Sequence, residues 1–240
     1  MSIGVILTCW RRPENLPRQY AAVQAQSLAP SRIAIWQNFA AGVPPIDQVV
    51  PEADYIRSNY NWGVWPRFLL AMELDTEYVC IFDDDTIPGR RWLENCLTSM
   101  RQREGLYGTV GVVFHKRGQR NPHYRVGWSD PNEQTTEVDI VGHSWFFKRD
   151  WLRHYCLEPR HGGPTCGEDY HFSVALQKHL RLPTLVPPHP TDNRELWGSL
   201  EGMALGTQKA LWDDPGQPVR LMDVHKAYLQ SGWKPLALRT

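Results

Sequence analysis

The chain has 240 residues, enough for one large domain that buries about 70–75% of the surface exposed by its unfolded form. Hydrophobic residues make up 42% and charged residues 22%, a balance that excludes disordered, collagen-like and coiled-coil chains. The 26 basic and 26 acidic side chains cancel, so contact with a polyanion such as nucleic acid would need a local basic patch.

Apolar strands alternate with helical stretches over the first ninety residues. Strands that are apolar throughout are buried on both faces, which is typical of a mostly parallel sheet flanked by helices. The sequence predicts strands at 3–8, 33–36, 54–57 and 78–82, and helices at 14–27 and 65–74.

Beyond residue 90 the pattern becomes mixed. The clearest element is a helix at 168–179, whose apolar residues recur at helical spacing. Strands are predicted at 108–114, 137–141 and 145–147, and a last helix at 219–230. Taken together, the elements predict an α/β fold with a mixed, mostly parallel central sheet in a single domain, 1–240.

Three consecutive carboxylates, Asp83, Asp84 and Asp85, follow the apolar run at 78–82. The carboxyl ends of strands are where α/β sheets bind ligands. In an extended chain alternate side chains share a face, so Asp83 and Asp85 can converge on one ion. Hard divalent cations prefer such oxygen ligands and bridge readily to phosphates. This Asp-x-Asp motif therefore predicts a metal site.

Four other interpretations compete with this one. Aspartate also favours turns and helix caps, although a cap needs only one carboxylate. A P-loop enzyme would require a Gly-x4-Gly-Lys-Ser/Thr motif, which the sequence lacks. A haloacid-dehalogenase-type phosphatase would require Asp-x-Asp-x-Thr, and Thr86 lies one position too early. Cys156, His161, Cys166 and His171 could suggest zinc, but the sequence offers no Cys-x2-Cys pair.

An ordered set of motifs resembles the GT-A glycosyltransferases, in particular the exostosin-like and family-2-like enzymes. The matching segments are Thr-Cys-Trp-Arg-Arg-Pro at 8–13, Asn38, Phe-Asp-Asp-Asp at 82–85, the strand at 138–147 and Gly-Glu-Asp-Tyr at 167–170. The resemblance implies a Rossmann-like GT-A domain. Its first half, about 1–90, would bind a nucleotide sugar, and about 91–240 would form the acceptor side and C-terminal segment.

The resemblance also implies roles for single residues on the donor side. The donor would be a nucleoside-diphosphate sugar, with UDP favoured. Mn²⁺ or Mg²⁺ would bridge its phosphates and neutralise the charge that grows on the leaving group. The implied donor-binding residues are Thr8, Arg11, Arg12, Asn38, Asn61, Arg67, Asp83 and Asp84. The implied metal ligands are Asp85, Asp83 and His189.

Glu168 and Asp169 open a helix, where the helix dipole favours negative charge even without a catalytic role. The resemblance makes them the catalytic pair, with Asp169 acting on the acceptor hydroxyl. It places His143 and Trp145 on the acceptor side, and it leaves open whether the reaction inverts or retains the anomeric configuration.

The acceptor side contains the one uneven charge distribution of the chain. Between residues 89 and 125 eight basic side chains face two acidic ones, a net charge of +6. Such runs usually form a solvated surface. Because this stretch follows the metal motif, Lys116, Arg117 and Arg120 could instead border the acceptor opening. A hydroxymethylated base in DNA is then a candidate acceptor, as in the phage-type DNA glucosyltransferases.

One further alternative function and a location complete these expectations. Eleven tryptophans also suit a non-catalytic carbohydrate-binding module, which would bind sugar without releasing a nucleotide. The sequence has no apolar run of the length that a membrane span needs and no signal-peptide pattern at its start. Five scattered cysteines fit a reducing compartment, so we expect a cytoplasmic protein without membrane contact.

Overall fold

The computed structural model describes residues 1–47, 50, 53–115, 120–128, 130–201, 205 and 214–239. Its strands are β1 Ile3–Cys9, β2 Arg32–Gln37, β3 Asp54–Arg57, β4 Tyr78–Phe82, β5 Leu106–Phe114, β6 His123–Gly127, β7 Thr136–Val138, β8 Ile140–Lys148 and β9 Thr184–Val186. Its α-helices are α1 Leu16–Gln24, α2 Pro66–Leu70, α3 Trp92–Gln102, α4 Leu152–Leu157, α5 Glu168–His179 and α6 Gln217–Gln230.

All of these strands belong to one sheet. Their order is β3-β2-β1-β4-β8-β5-β9-β7, and β6 pairs with β5. The pairs among β1 to β4 are parallel, whereas β8 runs antiparallel to both β4 and β5. The expected mixed α/β sheet is confirmed, with parallel pairing concentrated in the first four strands. One edge of the sheet therefore collects the carboxyl ends of β1, β2 and β4 and the amino end of β8.

Strand β8 carries the centre of the core because its two faces are both aromatic. Successive side chains of a strand point to opposite faces, so Trp145 and Phe147 share one face. On that face the ring of Phe68 from α2 lies 5.3 Å from Trp145 and 6.4 Å from Phe147, centroid to centroid. On the other face Phe146 stacks on Tyr78 of β4 at 5.5 Å. This packing fixes the register between β8 and β4.

The second half of the chain differs from the sequence prediction in several elements: one strand boundary moves, and α3, α4, β6 and β9 were not predicted. The strands expected at 137–141 and 145–147 are divided differently, because the break falls at Asp139 and β8 then runs without interruption. The buried Asp139 carboxylate accepts hydrogen bonds from the backbone N–H groups of Phe114 and Leu236, at 2.7 and 2.6 Å. Helix α3 was not predicted, although its buried side chains follow helical spacing.

None of the helices in the described part of the chain combines the length and the apolar character that a membrane span requires.

Gly63 is a position where the fold requires glycine. Its φ is +73°, and a Cβ atom there would lie 1.8 Å from the carbonyl oxygen of Pro164. The next residue, Val64, donates a backbone hydrogen bond of 2.9 Å to that same oxygen. The loop after β3 thus lies directly against the loop before α5. We expect Gly63→Ala to separate the two loops and lower the free energy of unfolding.

The matched control is Gly42→Ala, because Gly42 has a φ of +77° with no atom within 4 Å of its would-be Cβ. Its cost should be that of the left-handed backbone alone, about 1 kcal/mol. Gly63→Ala should cost at least about 2 kcal/mol more. Equal midpoints in urea for the two variants would contradict the close approach.

Candidate functional site

A cavity of about 590 Å³ opens at the edge of the sheet where β1, β2 and β4 end and β8 begins. Such an edge is the usual ligand site of α/β sheets, because the connecting loops diverge there. The cavity extends from the loops after β1 and β2 to the hairpin of β5 and β6. All three carboxylates of Asp83–Asp85 line it.

The backbone that carries these carboxylates is held by two amide side chains from around the start of α1. Gln19 donates from Nε2 to the carbonyl oxygens of Asp83 and Thr86, at 2.6 and 2.8 Å. Asn15 donates from Nδ2 to the carbonyl of Asp84 at 2.9 Å. Because these side chains satisfy the turn's carbonyls, the carboxylates are positioned by the fold and remain available to a ligand.

His143 lies opposite Asp83 because β8 runs antiparallel to β4 with Ser144 paired to Phe82. Its φ is +64°, unusual for a residue other than glycine. The backbone N–H of Asp83 and the hydroxyl of Thr86 both donate to its carbonyl oxygen, each at 3.0 Å. In the described part of the chain, Asp83, Asp85 and His143 are the group whose ligand atoms all lie within 4.8 Å of one another. Two carboxylates and one imidazole could hold a divalent cation.

Two arginines balance part of the negative charge. Arg12 forms ion pairs with Asp84 and Asp85, and Arg67 pairs with Asp83. Burial raises the pKa of Asp84 to about 6 despite the charge of Arg12. Burial would also raise the pKa of Asp85, but His143, whose Nδ1 lies 3.7 Å from Oδ1, and Arg12 together lower it to about 2. Asp85 is thus ionised at neutral pH.

Two further carboxylates, those of Glu168 and Asp169, line the cavity together with Asp83–Asp85. Helix α5 begins with them after Gly167, whose φ of +105° turns the chain sharply. The Asp169 carboxylate packs against Gly142, where a Cβ would lie 3.1 Å from Oδ2. Burial raises the pKa of Glu168 to about 7, and burial with the charge of Glu168 raises the pKa of Asp169 well above its ordinary value.

The side-chain amide of Asn38 joins the loops after β2 and β3. Its Nδ2 donates to Asn61 Oδ1 at 2.8 Å and to the Gly63 carbonyl at 3.1 Å. Its Oδ1 accepts from the backbone N–H groups of Phe39 and Trp62, both at 3.1 Å. Four hydrogen bonds use the full capacity of an amide side chain. Asn38 therefore organises the loops rather than offering its amide to a ligand.

Comparison with solved structures identifies the architecture. Neither family models nor curated protein sequences give a match to the chain. Crystal structures of S. aureus TarS superpose over 79% of this chain with TM-scores of 0.54–0.56 and 13–14% identity, including one in complex with UDP-GlcNAc. GalNAc-T7 with UDP, GalNAc and Mn²⁺ superposes over 78% with a TM-score of 0.63 and 11% identity. The chain has a GT-A fold.

The match covers 36–59% of the length of these neighbours, which are GT-A glycosyltransferases. At such low identity the similarity shows a shared fold and nothing finer. The roles of individual residues follow from the geometry of this chain's own site.

The GT-A cavity brings together most of the residues that the sequence singled out. The lining includes Thr8, Arg12, Asn38, Asn61, Arg67, Asp83, Asp84, Asp85, Arg120, His143, Glu168 and Asp169. Arg11 does not line it and is exposed, with its guanidinium 3.9 Å from the centroid of the Trp10 ring. Lys116 and Arg117 lie outside the described residues.

Two predicted site residues belong to the core. His189 is fully buried, its Nδ1 lies 2.8 Å from the Pro187 carbonyl, and its Nε2 accepts from the Gly198 N–H at 3.1 Å. Both of its ring nitrogens are thus engaged away from the carboxylates. Trp145, expected on the acceptor side, is also fully buried and donates from Nε1 to the Val141 carbonyl. His143, expected on the same side, lies beside Asp83 and Asp85 instead.

The sequence analysis missed the residues of the β5–β6 hairpin that line the cavity. Strand β6, which was not predicted, carries His123 and Arg125, and Trp128 follows directly after it. The ring centroid of Trp128 lies 4.6 Å from that of His143. The short length of β6 weakens its sequence signal, but the alternation of His123, Arg125 and Gly127 could have indicated one strand face.

The raised pKa of Glu168 predicts a stability change with a definite sign. Between its ordinary pKa of 4.5 and its folded value of about 7, the unfolded chain loses the proton while the folded chain keeps it. Stability contributed by this group therefore falls as pH rises through that window. At pH 8 we expect the free energy of unfolding of Glu168→Gln to exceed that of the parent by on the order of 1–2 kcal/mol. This difference should shrink toward pH 4.5.

The measurement is urea unfolding in EDTA at several pH values between 4.5 and 8. Glu133→Gln, at an exposed glutamate on the chain surface, is the control and should show no such trend. A gain that grows toward acid pH would contradict the assigned direction.

Proposed function

We propose that the protein is a metal-dependent glycosyltransferase. It moves a sugar from a nucleoside-diphosphate sugar, with UDP favoured, to an acceptor hydroxyl. The observation that carries the proposal is the group of Asp83, Asp85 and His143, which shares one cavity with Glu168 and Asp169 at the ligand-binding edge of a GT-A fold. The UDP-GlcNAc in a TarS complex and the UDP and GalNAc in the GalNAc-T7 complex support the same class of donor.

The residues present fit a hard divalent ion, Mn²⁺ or Mg²⁺. Two carboxylates supply anionic oxygen ligands, and the lowered pKa of Asp85 keeps one of them ionised. When bound, such an ion neutralises the charge on the departing diphosphate. The protein holds the ligand set in place through Arg67 on Asp83 and Arg12 on Asp85.

Asp169 is the group that accepts the proton of the acceptor hydroxyl in this proposal. The acceptor oxygen forms a bond to the anomeric carbon, the bond from that carbon to the phosphate oxygen breaks, and the nucleoside diphosphate leaves. A pKa raised by burial suits a base that must take a proton near neutral pH. The positive charge of Arg67 acts on Asp83, Glu168 and Asp169 and limits the repulsion among these carboxylates.

A hydroxymethylated base in DNA remains the candidate acceptor within this proposal. Its support is the basic stretch between residues 89 and 125 and the position of Arg120 on the cavity wall. The cytoplasmic location expected from the sequence belongs to the same proposal.

The decisive test is a thermal-shift series with UDP, UDP-glucose, UDP-GlcNAc and UDP-GalNAc, each with Mn²⁺ and with EDTA. A ligand that binds only the folded state at 100 times its Kd stabilises it by about 2.7 kcal/mol. We expect a rise in melting temperature that needs both nucleotide and metal, and slow UDP release from at least one sugar donor.

The rival functions predict different results. A carbohydrate-binding module would be stabilised by free sugar in EDTA and would release no UDP. A haloacid-dehalogenase-type phosphatase would hydrolyse p-nitrophenyl phosphate with Mg²⁺. Either result, without nucleotide-dependent stabilisation, would overturn the proposal.

A further inference from the structure

The cavity continues beyond the carboxylates to a wall formed by β5 and β6. The register pairs Val112 with Arg125 and Phe114 with His123. Because alternate residues of a strand share a face, these side chains line the cavity while Tyr124 points away, exposed. The hairpin therefore presents an apolar strip from β5 beside a polar strip from β6.

Two guanidinium groups on this wall differ from the other arginines of the cavity. Arg12 and Arg67 are each paired with carboxylates. No carboxylate oxygen of the described chain lies within 4.0 Å of a nitrogen of Arg120 or Arg125. The Nε of Arg120 is shielded from solvent and has no hydrogen-bond partner among the described residues. Arg120 lies in the electrostatic field of Asp169 and contacts the side chain of Tyr170, but its buried Nε–H still has room for an acceptor atom.

The order of the strands separates this wall from the nucleotide loops. The loops after β1 and β2 lie on one side of Asp83–Asp85, whereas β5 lies on the other, beyond β8. From β4, which precedes Asp85, to β6, which carries Arg125, there are three strand spacings of about 4.8 Å, or roughly 14 Å. An anion at Arg120 and Arg125 would thus be distinct from a diphosphate held at Asp85.

The wall also offers a surface for a flat apolar group. Val112 lines the cavity beside Arg125, over the buried ring of Phe114, and Trp128 lines it next to His143. A sugar phosphate would leave the apolar strip uncovered. A nucleotide would place its base on the strip and its phosphate near the guanidiniums, since aromatic side chains stack on bases and arginines bind phosphates.

We propose that Arg120 and Arg125 form a phosphate subsite for a nucleic-acid acceptor, whose base lies against Val112 and Trp128 with its hydroxyl toward Asp169. This inference rests on the proposed function and identifies the residues that would hold the phosphate and the base of its acceptor. Arg120 and Arg125 position the acceptor and take no part in the transfer itself. A phosphodiester makes the recognition dependent on salt, because each contact releases condensed counterions.

The experiment measures binding of a fluorescein-labelled ten-nucleotide thymidine strand by anisotropy, with UDP and Mn²⁺ present at saturation so that the donor side is filled. We expect binding that weakens steeply between 50 and 200 mM salt. Arg120→Gln and Arg125→Gln should each raise Kd at least about fivefold and reduce the slope of log K against log salt by about 0.7, the value for one single-strand phosphate contact.

The matched control is Arg153→Gln, at an exposed arginine of α4 that contacts Asp150. It should keep the parent's Kd and slope. Arg120→Lys and Arg125→Lys keep the charge and should keep the slope, which separates charge recognition from a folding defect. Unchanged binding by both Gln variants, or no binding of the strand at 50 mM salt, would overturn the proposal.

Two further probes identify the chemical source of the anion. An abasic strand of equal length should bind more weakly than the thymidine strand, because it lacks the bases that the wall would contact. Inorganic polyphosphate of matched charge should also bind more weakly. Equal affinity for either would overturn the assignment to nucleic acid. UDP binding, measured first in the same samples, tests the proposed function separately.

Discussion

Replacement of Asp85 by alanine is expected to lower metal-dependent UDP release at least about 10³-fold, which corresponds to about 4 kcal/mol of transition-state stabilisation. Asp85 contributes one of the two carboxylates in the candidate metal group. Its loss leaves Arg12 still paired with Asp84, so no buried cation loses its only partner. The folded structure should therefore persist, and the defect should lie in metal-dependent binding.

The measurement combines UDP release with the Mn²⁺ dependence of nucleotide binding. Asp75→Asn, at an exposed aspartate outside the cavity, is the control and should behave as the parent. Parent activity that survives EDTA undiminished, or an alanine variant with normal Mn²⁺ dependence, would remove Asp85 from the site. A circular-dichroism melt of each variant separates loss of function from loss of fold.

Asp169→Asn is the second substitution with a large expected effect. It keeps the shape of the side chain against Gly142 but removes the group that would accept a proton. General-base catalysis typically contributes 10²–10⁴-fold, so we expect kcat to fall by about 10³. The affinity for UDP, which does not require proton transfer, should change much less than kcat.

Steady-state kinetics and UDP titration of the same variant provide the two numbers. Asp223→Asn, at an exposed aspartate of α6, is the matched control. A variant that transfers sugar as fast as the parent would exclude Asp169 as the base. A parallel loss of UDP affinity and kcat would instead indicate that Asp169 acts through Arg67, which lies in its electrostatic field.

The first half of the fold could be predicted from sequence because its signals are local. β1 and β4 are continuous apolar runs, and buried parallel strands have that appearance. The boundary between β7 and β8 could not be predicted in the same way. It depends on Asp139, whose carboxylate binds backbone from β5 and from residue 236, and such distant partners leave no trace in a short window of sequence.

The candidate site shows the same division between local and distant information. The carboxylates of Asp83–Asp85 follow directly from a strand and its turn. The choice between His143 and His189 depends on the antiparallel pairing of β8 with β4, which sets His143 opposite Asp83. His189 instead lies between the rings of Trp92 and Trp197, at 5.4 and 5.8 Å. Residue type alone made the two histidines equivalent, and only the sheet register distinguishes them.

The saturated amide of Asn38 has a consequence for engineering a new donor preference. Two loops that lie far apart in sequence share its four hydrogen bonds, and Trp10 from a third loop donates to the Phe39 carbonyl. Exchange of one loop alone would therefore leave polar atoms without partners. Grafting from a homologous enzyme should therefore transfer residues 10, 38–39 and 61–63 as one module. Libraries that vary these positions independently would consist mostly of poorly folded members, whereas libraries that keep Asn38 and vary its neighbours would retain a stable scaffold.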